Sequence, residues 1–212
     1  MLSTKTVAVI VAHPDDETIW AGGTILEHPS WKWFVFCLCR GNDIDRAPRF
    51  YKALKVLKSE GTMGNLDDGP EQNPLNEKDV ENAILDLLPG KHYDLIISHN
   101  PSGEYTAHIR HKEVSKAVIN LWDTGKISAD ELWTFAYEDG NKEYYPRHVE
   151  SATIYQTLKK QIWLRKYRII TETYGFNKDS FEAETTPKAE AFWKFNVTFD
   201  AKKWLAAGGA KK

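Results

Sequence analysis

The segment VIVAHPDDETIW, residues 9–20, changes character halfway along its length. The run up to Ala12 consists of small and β-branched residues, which are typical of a buried β-strand. His13 and three consecutive acidic residues follow at once, and an amphipathic stretch then extends to about Leu26. The segment therefore predicts a strand, an acidic loop and a helix, with the polar groups at the carboxyl end of the strand.

The same alternation of strand and helix patterns continues along the chain. The further predicted strands are Trp33–Arg40, Asp94–His99 and Glu131–Tyr137, and the predicted helices cover about 47–60, 77–88, 107–121 and Ile154–Arg168. Strands that alternate with helices favour a mostly parallel sheet covered on both faces. We therefore expect an α/β protein, a Rossmann-like three-layer α/β/α sandwich.

Length and composition limit the organisation of the chain. Its 212 residues contain no Pro-, Gly- or Ser-rich linker, so we expect one domain over residues 1–207 and a flexible tail at 208–212. The formal net charge is -2 and the basic residues are scattered, which argues against nucleic acid as a partner. The oligomeric state stays open, a homo-oligomer included.

The apolar runs and the first residues of the chain bear on its location. No apolar run has the length of a membrane span, and the first residues lead into the first strand without the apolar stretch of a signal peptide. We therefore expect a cytoplasmic protein. Cys37 and Cys39 alternate within the second strand, which fits buried packing better than a redox pair or a zinc ribbon.

Two groups of polar residues follow predicted strands. His13, Asp15 and Asp16 lie after the first strand, and His108 and His111 lie beyond the strand that ends near position 99. Ligands of open α/β sheets collect outside the carboxyl ends of the strands. Both groups can therefore converge on one edge of the sheet.

The acidic loop has two interpretations. Pro14 suits the approach to a helix start, and Asp15 or Asp16 can cap that helix for about 1 kcal/mol. Capping explains one aspartate but not a flanking histidine with further acids. A metal site explains more of the loop, because His13 and Asp16 lie three residues apart across a tight turn and can reach one ion, with Asp15 aimed differently.

The pair His108 and His111 adds to the metal interpretation. At i and i+3 on a helix, the two side chains share a face, so one can complete the coordination while the other faces a substrate. A set of two histidines and one aspartate leaves a fourth position open, as catalytic zinc sites do. Exposed helix residues are the alternative interpretation of this pair alone.

These motifs resemble a known family. The sequence AHPDDE at 12–17 with the later His-x-x-His is similar to the zinc-dependent N-deacetylases typified by N-acetylglucosaminyl-phosphatidylinositol deacetylase, the PIG-L or LmbE-like family. The resemblance spans roughly residues 5–140 and extends to RGND at 40–43, LDDG at 66–69 and GEYT at 103–106. It implies a hydrolase that removes acetyl from an N-acetylated amino sugar of the N-acetylglucosamine type, or from its conjugate.

The resemblance also implies roles for individual residues. His13, Asp16 and His111 would be the Zn²⁺ ligands, Asp15 the general base and His108 the group that stabilises the transition state. Because amide hydrolysis at neutral pH needs a hydroxide equivalent, zinc would lower the pKa of its water towards about 7 and Asp15 would take the proton. A protonated His108 would hold the developing oxyanion, for about 3 kcal/mol.

Substrate contacts are less sharply indicated. The family uses an arginine after the second strand, for which Arg49 is the first candidate and Arg46 the second. Asp43 is a candidate for a sugar hydroxyl, with a turn role as the alternative. Relatives often carry an acid just before the second ligand histidine, whereas this chain has Arg110, which leaves the pKa of His108 open.

Aromatic residues near these motifs are candidates for stacking on a sugar. They are Trp20, Tyr105, Tyr144 and Tyr145, each with core packing as the alternative. Glu104 is either the partner of a ligand histidine or a solvated charge.

Other functions remain open. A nucleotide-binding or non-catalytic Rossmann-like module would need a glycine-rich phosphate turn after the first strand, but that turn is acidic and Gly22-Gly23 falls too late. A metal-dependent amidase acting on a different N-acyl amine is harder to separate, because the same machinery recognises the amide. Iron, cobalt or another divalent metal can occupy the same ligands.

Overall fold

The computed structural model describes residues 4–106 and 108–209, which contain one large sheet and one small ribbon. The parallel part of the sheet consists of β1 (Thr6–Val11), β2 (Lys32–Cys39), β3 (Glu60–Leu66), β4 (His92–Ser98) and β5 (Ser128–Phe135). The ribbon consists of β6 (Tyr137–Glu138) and β7 (Arg147–His148). Two further strands, β8 (Ile154–Thr157) and β9 (Ala189–Phe195), extend the sheet in the antiparallel sense.

The strand order is β3-β2-β1-β4-β5-β9-β8. The chain moves outward in one direction from β1 to β3 and in the other direction from β4 to β5, so the order reverses between β1 and β4. A crevice opens at such a reversal, outside the carboxyl ends of the two central strands. The loops that follow β1 and β4 therefore lie side by side.

Helices cover both faces of the sheet. One face carries α1 (Asp16–Glu27), α2 (Arg46–Leu57), α5 (Lys160–Arg168), a π-helical turn at Ile169–Thr173 and the short α6 (Phe181–Thr185). The other face carries α3 (Glu77–Leu87), α4 (Ile109–Asp123) and α7 (Thr198–Ala206). The chain is thus one α/β domain in three layers with a mostly parallel sheet, as the sequence predicts.

The central strand β1 shows why this sheet needs two covered faces. Val7, Val9 and Val11 pack into the cluster under α1 and α2, while Ala8 and Ile10 pack into the cluster under α3 and α4. All five side chains are fully buried. A strand buried on both faces has a continuous apolar sequence, which is the pattern seen before His13.

The predictions missed β3 because its sequence, EGTMGNL, has neither apolar alternation nor many β-formers. The predicted helix at 47–60 ends at Leu57, and β3 begins three residues later. A Cβ on Gly61 would lie 2.3 Å from the Val35 carbonyl oxygen, so the strands approach more closely than a side chain permits.

The predicted helix at Ile154–Arg168 begins too early. Its first four residues form β8, which pairs with β9 at the sheet edge, and the helix α5 starts at Lys160. A short, half-exposed edge strand carries polar residues that also fit an amphipathic helix, so the pattern did not separate the two. Neither β9 nor α7 was predicted.

The predicted tail lies partly within the described residues. The predicted tail begins at Gly208, but Ser102 Oγ donates to the Gly208 carbonyl at 3.0 Å and Gly209 N–H donates to the Trp204 carbonyl at 3.0 Å. These two glycines are therefore held by hydrogen bonds, and positions 210–212 of that prediction lie outside the described residues.

Cys37 and Cys39 are buried free thiols, which confirms their packing role.

A membrane-spanning helix would have to be both long and apolar. No helix within 4–106 and 108–209 meets that requirement.

Candidate active site

The loop after β1 holds Asp15 in an unusual backbone conformation. Its φ is 117°, a region that L-residues other than glycine seldom adopt. The Asp15 carbonyl accepts the N–H groups of Thr18 and Ile19, while its carboxylate makes no capping bond to α1. The capping interpretation of this aspartate therefore fails, and its carboxylate is available for chemistry.

The Glu17 carboxylate stabilises this strained turn through hydrogen bonds. Its Oε2 accepts the N–H of Asp15 at 3.1 Å, and its Oε1 accepts the hydroxyls of Thr18 and Tyr174 at 2.5 and 2.8 Å. The Glu17 side chain is fully buried. A buried carboxylate with three donors is well satisfied, so the third acid of the motif is a structural brace for Asp15.

Three side-chain atoms converge above the ends of β1 and β4. His13 Nδ1 lies 3.2 Å from Asp16 Oδ2 and 3.2 Å from His111 Nε2, and His111 Nε2 lies 3.3 Å from Asp16 Oδ2. Ligand atoms placed about 2.0–2.1 Å from a tetrahedral zinc ion are separated by about 3.3 Å. The structure therefore brings together the three residues predicted as ligands, with separations that suit one ion.

The outward-facing nitrogens of both histidines are fixed by carboxylates. Glu104 Oε2 lies 2.5 Å from His111 Nδ1, and Asp68 Oδ1 lies 3.2 Å from His13 Nε2. An ionised carboxylate only accepts, so these nitrogens carry the protons, and in neutral rings the inward nitrogens present lone pairs. Two lone pairs and a carboxylate oxygen that meet in this way repel one another unless a proton or a metal ion lies between them.

The electrostatics of the cluster agree with that requirement. Burial lowers the pKa values of His13 and His111, but the nearby Asp16 outweighs it and both pKa values lie above the ordinary value. Burial raises the pKa of Asp16, and the neighbouring His111 and His99 outweigh it, so the pKa of Asp16 lies well below its usual range. The cluster attracts positive charge, supplied by protons or by a metal ion.

His99 and Glu104 form the floor of the site. The His99 ring stacks on His111 with centroids 3.9 Å apart, and its Nε2 accepts the N–H of Ala12 at 2.9 Å. Glu104 Oε2 also lies 3.0 Å from His99 Nδ1, and its Oε1 accepts the N–H of Asn100 at 2.8 Å. Glu104 is fully buried, so it is the partner of His111 and not a solvated charge.

The charge of Glu104 follows from these partners. Burial raises its pKa, but His99 and His111 outweigh burial and lower the pKa to about 2. The sequence did not single out His99, which was assigned only to the end of a strand. Two further groups meet the same geometric condition, because Asp16, His99 and His111 offer ligand atoms within 4.8 Å of one another, and so do His13, His108 and His111.

Asp68 occupies the open side of the site. Its Oδ2 accepts from Arg40 Nη2 at 2.6 Å and its Oδ1 accepts from Gln72 Nε2 at 2.9 Å. Burial opposes ionisation, but the hydrogen bond with His13 and these partners hold the pKa of Asp68 well below its usual range. The LDDG segment that contains Asp68 was noted in the sequence without a role for the residue.

Asp15 is paired with Arg46. Arg46 Nη2 donates to Asp15 Oδ2 at 2.9 Å and to the Pro14 carbonyl at 2.7 Å. Burial and the adjacent Asp16 raise the pKa of Asp15 well above its usual range, while Arg46 opposes the rise. A carboxylate with raised proton affinity suits a general base.

The structure favours Arg46 over Arg49 as the arginine of the site. Arg49 Nη2 donates to Asp45 Oδ1 at 2.7 Å, and its Nη1 donates to the Tyr174 carbonyl. These contacts direct Arg49 away from the cavity, although it was the first candidate. Asp43 also lies elsewhere: its Oδ1 accepts the N–H groups of Asp45 and Arg46 at 3.0 and 2.9 Å, which is the turn role.

His108 lies beside the cluster as a neutral ring. Its centroid lies 4.5 Å from that of His13 and 4.4 Å from that of His111. Burial, with the like charges of His111 and His13, lowers the pKa of His108 to about 3. Desolvation next to two other imidazoles therefore favours a neutral His108 over the protonated ring that the resemblance implies. Its buried Nδ1 has no hydrogen-bond partner within the described residues.

Arg110 does not take the place of an acid beside His108. Its side chain is fully buried and donates to the carbonyls of Asp67 and Asn73, at 2.5 and 2.9 Å, and to Glu113 Oε2 at 2.6 Å. Arg110 therefore fastens the loop that presents Asp68 and leaves His108 Nδ1 unpaired.

A cavity of about 170 Å³ is lined by His13, Asp15, Asp16, Arg46, Asp68 and His108. Trp20 is 1% exposed and its Nε1 donates to Asp16 Oδ1 at 3.1 Å, so it orients a predicted ligand and does not offer a stacking face. The Tyr105 ring, in contrast, lies 5.6 Å from His108 and 5.4 Å from His111 and forms a wall of the cavity.

Comparisons with known proteins identify relatives of this chain in sequence and in fold. An uncharacterised protein of Acanthamoeba polyphaga mimivirus is 29% identical over 171 residues, which cover 73% of this chain and 72% of the viral protein. The N,N′-diacetylchitobiose deacetylase of Pyrococcus horikoshii has a similar fold, with a TM-score of 0.69 and 14% identity over 92% of this chain and 85% of its own.

A second solved structure shows that the fold hosts another reaction. The 4-carboxy-2-hydroxymuconate hydratase GalB of Pseudomonas putida matches with a TM-score of 0.62 and 15% identity, over 90% of this chain and 96% of its own. At these identities the structural likeness establishes the fold alone. Residues 8–122, more than half of the chain, match the PIG-L family described as GlcNAc-PI de-N-acetylases. The motif loops and their geometry lie within that match, and the chain belongs to the PIG-L family of GlcNAc-PI de-N-acetylases.

Proposed function

We propose that the protein is a zinc-dependent hydrolase that removes the acetyl group from an N-acetylated amino sugar of the N-acetylglucosamine type or from its conjugate. The observation that carries the proposal is the meeting of His13 Nδ1, Asp16 Oδ2 and His111 Nε2 within 3.2–3.3 Å, beside the Asp15 carboxylate. Membership of a deacetylase family supports the same reaction class.

The donor set suits a catalytic metal. His13, Asp16 and His111 would hold the ion through two nitrogens and one oxygen, the combination found in catalytic zinc sites that keep a position open. When bound there, zinc supplies a positive charge that acidifies water and polarises an amide carbonyl. Other divalent transition metals accept the same ligands, and metal analysis of the purified protein distinguishes them from zinc.

Asp15 would move the proton. Its raised pKa suits the removal of a proton from water near neutral pH, and Arg46 keeps the carboxylate in place through Oδ2. The water oxygen forms a bond to the carbonyl carbon as the proton passes to Asp15. The carbon–nitrogen bond then breaks, and the same proton passes to the nitrogen, which gives acetate and a free amine.

His108 would assist as a neutral donor. With a pKa of about 3 the ring carries one N–H at neutral pH, which can donate to the carbonyl oxygen as negative charge develops there. A neutral donor stabilises that charge less than an imidazolium does. The unpaired Nδ1 leaves the ring free to choose either nitrogen as the donor.

A different N-acyl amine is the alternative substrate. The metal, base and donor described above act on the amide and leave the remainder of the molecule unspecified, and the same fold also carries a hydratase. Arg40 and Arg46 add polar groups to the cavity wall, which suits a substrate with hydroxyls.

An acetate-release assay with the purified protein tests the proposal. We expect about one equivalent of zinc per chain and release of acetate from N-acetylglucosamine or its glycosides, with loss on chelation and recovery with added zinc. N-acetylated amino acids and polyamines form the second substrate panel. Acetate from that panel alone would transfer the proposal to another amine, and a zinc-loaded protein silent on both panels would refute the deacetylase assignment.

A further inference from the structure

A short segment from the C-terminal half of the chain contacts the residues that hold Asp15. It consists of residues 174–176, which directly follow the π-helical turn at Ile169–Thr173. Such turns are uncommon and are frequent at functional sites. The 174–176 segment lies outside the region 8–122 that matches the family model, so its role has to be derived from its own contacts.

Tyr174 reaches the backbone of Asp15 through Glu17. The Tyr174 hydroxyl donates to Glu17 Oε1 at 2.8 Å, and Glu17 Oε2 accepts the Asp15 N–H at 3.1 Å. Because Tyr174 is 2% exposed and Glu17 is fully buried, water does not compete for these hydrogen bonds. The hydroxyl therefore fixes the carboxylate that holds Asp15 at its φ of 117°.

Phe176 reaches the side chain of Asp15 through Arg46. The Arg46 guanidinium carbon lies 5.2 Å from the centroid of the Phe176 ring, and Arg46 Nη2 donates to Asp15 Oδ2 at 2.9 Å. A guanidinium over an aromatic face is attracted by the negative charge of that face. The ring therefore limits the directions in which Arg46, and with it the Asp15 carboxylate, can turn.

Gly175 allows its two neighbours to make both contacts. Its φ is 78°, and a Cβ at this position would collide with Arg49 Nη1. Arg49 in turn donates to the Tyr174 carbonyl. Arg49 thus fastens the 174–176 segment to α2, the helix that also carries Arg46.

We propose that Tyr174 and Phe176 are positioning residues for the general base. Tyr174 fixes the backbone of Asp15, and Phe176 fixes the direction of its carboxylate, so that the base is already aligned with the attacking water. The inference rests on the proposed function, in which Asp15 takes a proton from that water. The alternative is that the two side chains only stabilise the fold, and the two roles predict different kinetics.

Tyr174→Phe tests the first contact, because it removes the hydroxyl and keeps the ring. With an N-acetylglucosamine glycoside as substrate, we expect kcat of the zinc-loaded protein to fall about tenfold, with KM and zinc content unchanged, because only the base is displaced. Phe176→Leu keeps an apolar side chain without the aromatic face and should lower kcat about threefold. Tyr93→Phe is the matched control, at a fully buried tyrosine in the cluster under α3 and α4, and should keep its kcat.

The Asp15→Asn variant separates positioning from stability. Once the base is absent its position no longer matters, so adding Tyr174→Phe should change the residual kcat of Asp15→Asn by less than about twofold. A similar loss in both backgrounds would overturn the inference. An unchanged kcat in Tyr174→Phe alone would overturn it too, as would a loss that the zinc content accounts for.

Amide hydrogen exchange gives a readout that needs no activity. The Asp15 N–H exchanges when its hydrogen bond to Glu17 opens. We expect Tyr174→Phe to raise that exchange rate about tenfold and to leave the Val9 N–H of β1 unchanged. This result in a protein that releases no acetate would support the contact with Asp15 although the proposed reaction fails. Equal rates in both proteins, or the same rise at Asp15 and Val9, would overturn the inference.

Discussion

The two histidines of the candidate metal site are supported in the same way but in different surroundings. His111 and its partner Glu104 are fully buried, whereas the His13 side chain is 12% exposed and its partner Asp68 is held by Arg40, whose side chain is 44% exposed. Each histidine places one nitrogen on a carboxylate and the other towards the shared centre. One half of the site is part of the core, and the other half lies just beneath the surface, where the Asp68 side chain is 6% exposed.

The difference shows where the site is fixed and where it can adjust. Glu104 accepts from two histidines and from the Asn100 N–H, all within the core. Asp68 lies on a loop that Arg110 fastens to α4 through two backbone carbonyls. We expect substitutions in the buried half to lower zinc affinity and the free energy of unfolding strongly. Substitutions in the open half should lower both quantities less.

His111→Ala should have the largest effect on the metal. It removes a residue shared by the predicted ligand set and by the two further groups, and it leaves Glu104 with one partner fewer. We expect zinc content to fall from about one equivalent to a background level by atomic absorption. His92→Ala, at an exposed histidine on β4, is the matched control and should keep its zinc. A zinc-loaded His111→Ala protein would contradict the ligand assignment.

Asp15→Asn should separate catalysis from metal binding. The amide cannot take a proton from water, so kcat should fall about 10²–10⁴-fold while zinc content stays unchanged. Activity and metal content measured on the same preparation check this. Loss of zinc in this variant would show that Asp15 is a ligand and not the base.

Glu104→Gln changes the carboxylate in the buried half of the site. An amide has one acceptor oxygen, so its NH₂ must face either the histidine nitrogens or the Asn100 N–H, and one buried donor stays unsatisfied. We expect zinc affinity to fall about 100-fold and the free energy of unfolding to fall by about 2 kcal/mol. Competition with a zinc chelator and urea denaturation measure the two effects. Unchanged values would show that the buried carboxylate is not needed to orient His111.

Asp68→Asn makes the equivalent change on the open half and should have the smallest effect. The amide oxygen can still accept the hydrogen bond from His13 Nε2 while the NH₂ group faces Arg40. The exposed Arg40 side chain can then turn towards water. We expect zinc affinity to fall about tenfold and stability to change by less than about 1 kcal/mol. If this variant lost as much affinity as Glu104→Gln, exposure would not distinguish the two halves.

The sequence predicted the parts of the site that lie close together in the chain. The loop from His13 to Asp16 follows directly from the end of a buried strand, and His108 and His111 share one turn. No role was predicted for Asp68 or His99, because Asp68 meets His13 and His99 meets Ala12 only when distant parts of the chain come together. Sequence spacing could not show whether Arg46 or Arg49 enters the site. The answer depends on the hydrogen bond that Arg49 donates to Asp45, which holds Arg49 away from the cavity.

For the fold, the strength of the apolar pattern decided which strands were predicted. The parallel core was predicted because strands buried on both faces, such as β1, are continuously apolar. The edge strands β3 and β8 were missed because one is rich in glycine and the other is half exposed, so neither has a strong periodic pattern.

A crystal structure of the zinc-soaked protein, with anomalous data at the zinc edge, tests the central claim most directly. The account predicts one strong anomalous peak about 2.0–2.2 Å from His13 Nδ1, Asp16 Oδ2 and His111 Nε2, with Asp15 outside the coordination. A peak bound elsewhere, or none among these three atoms at full zinc occupancy, would contradict it.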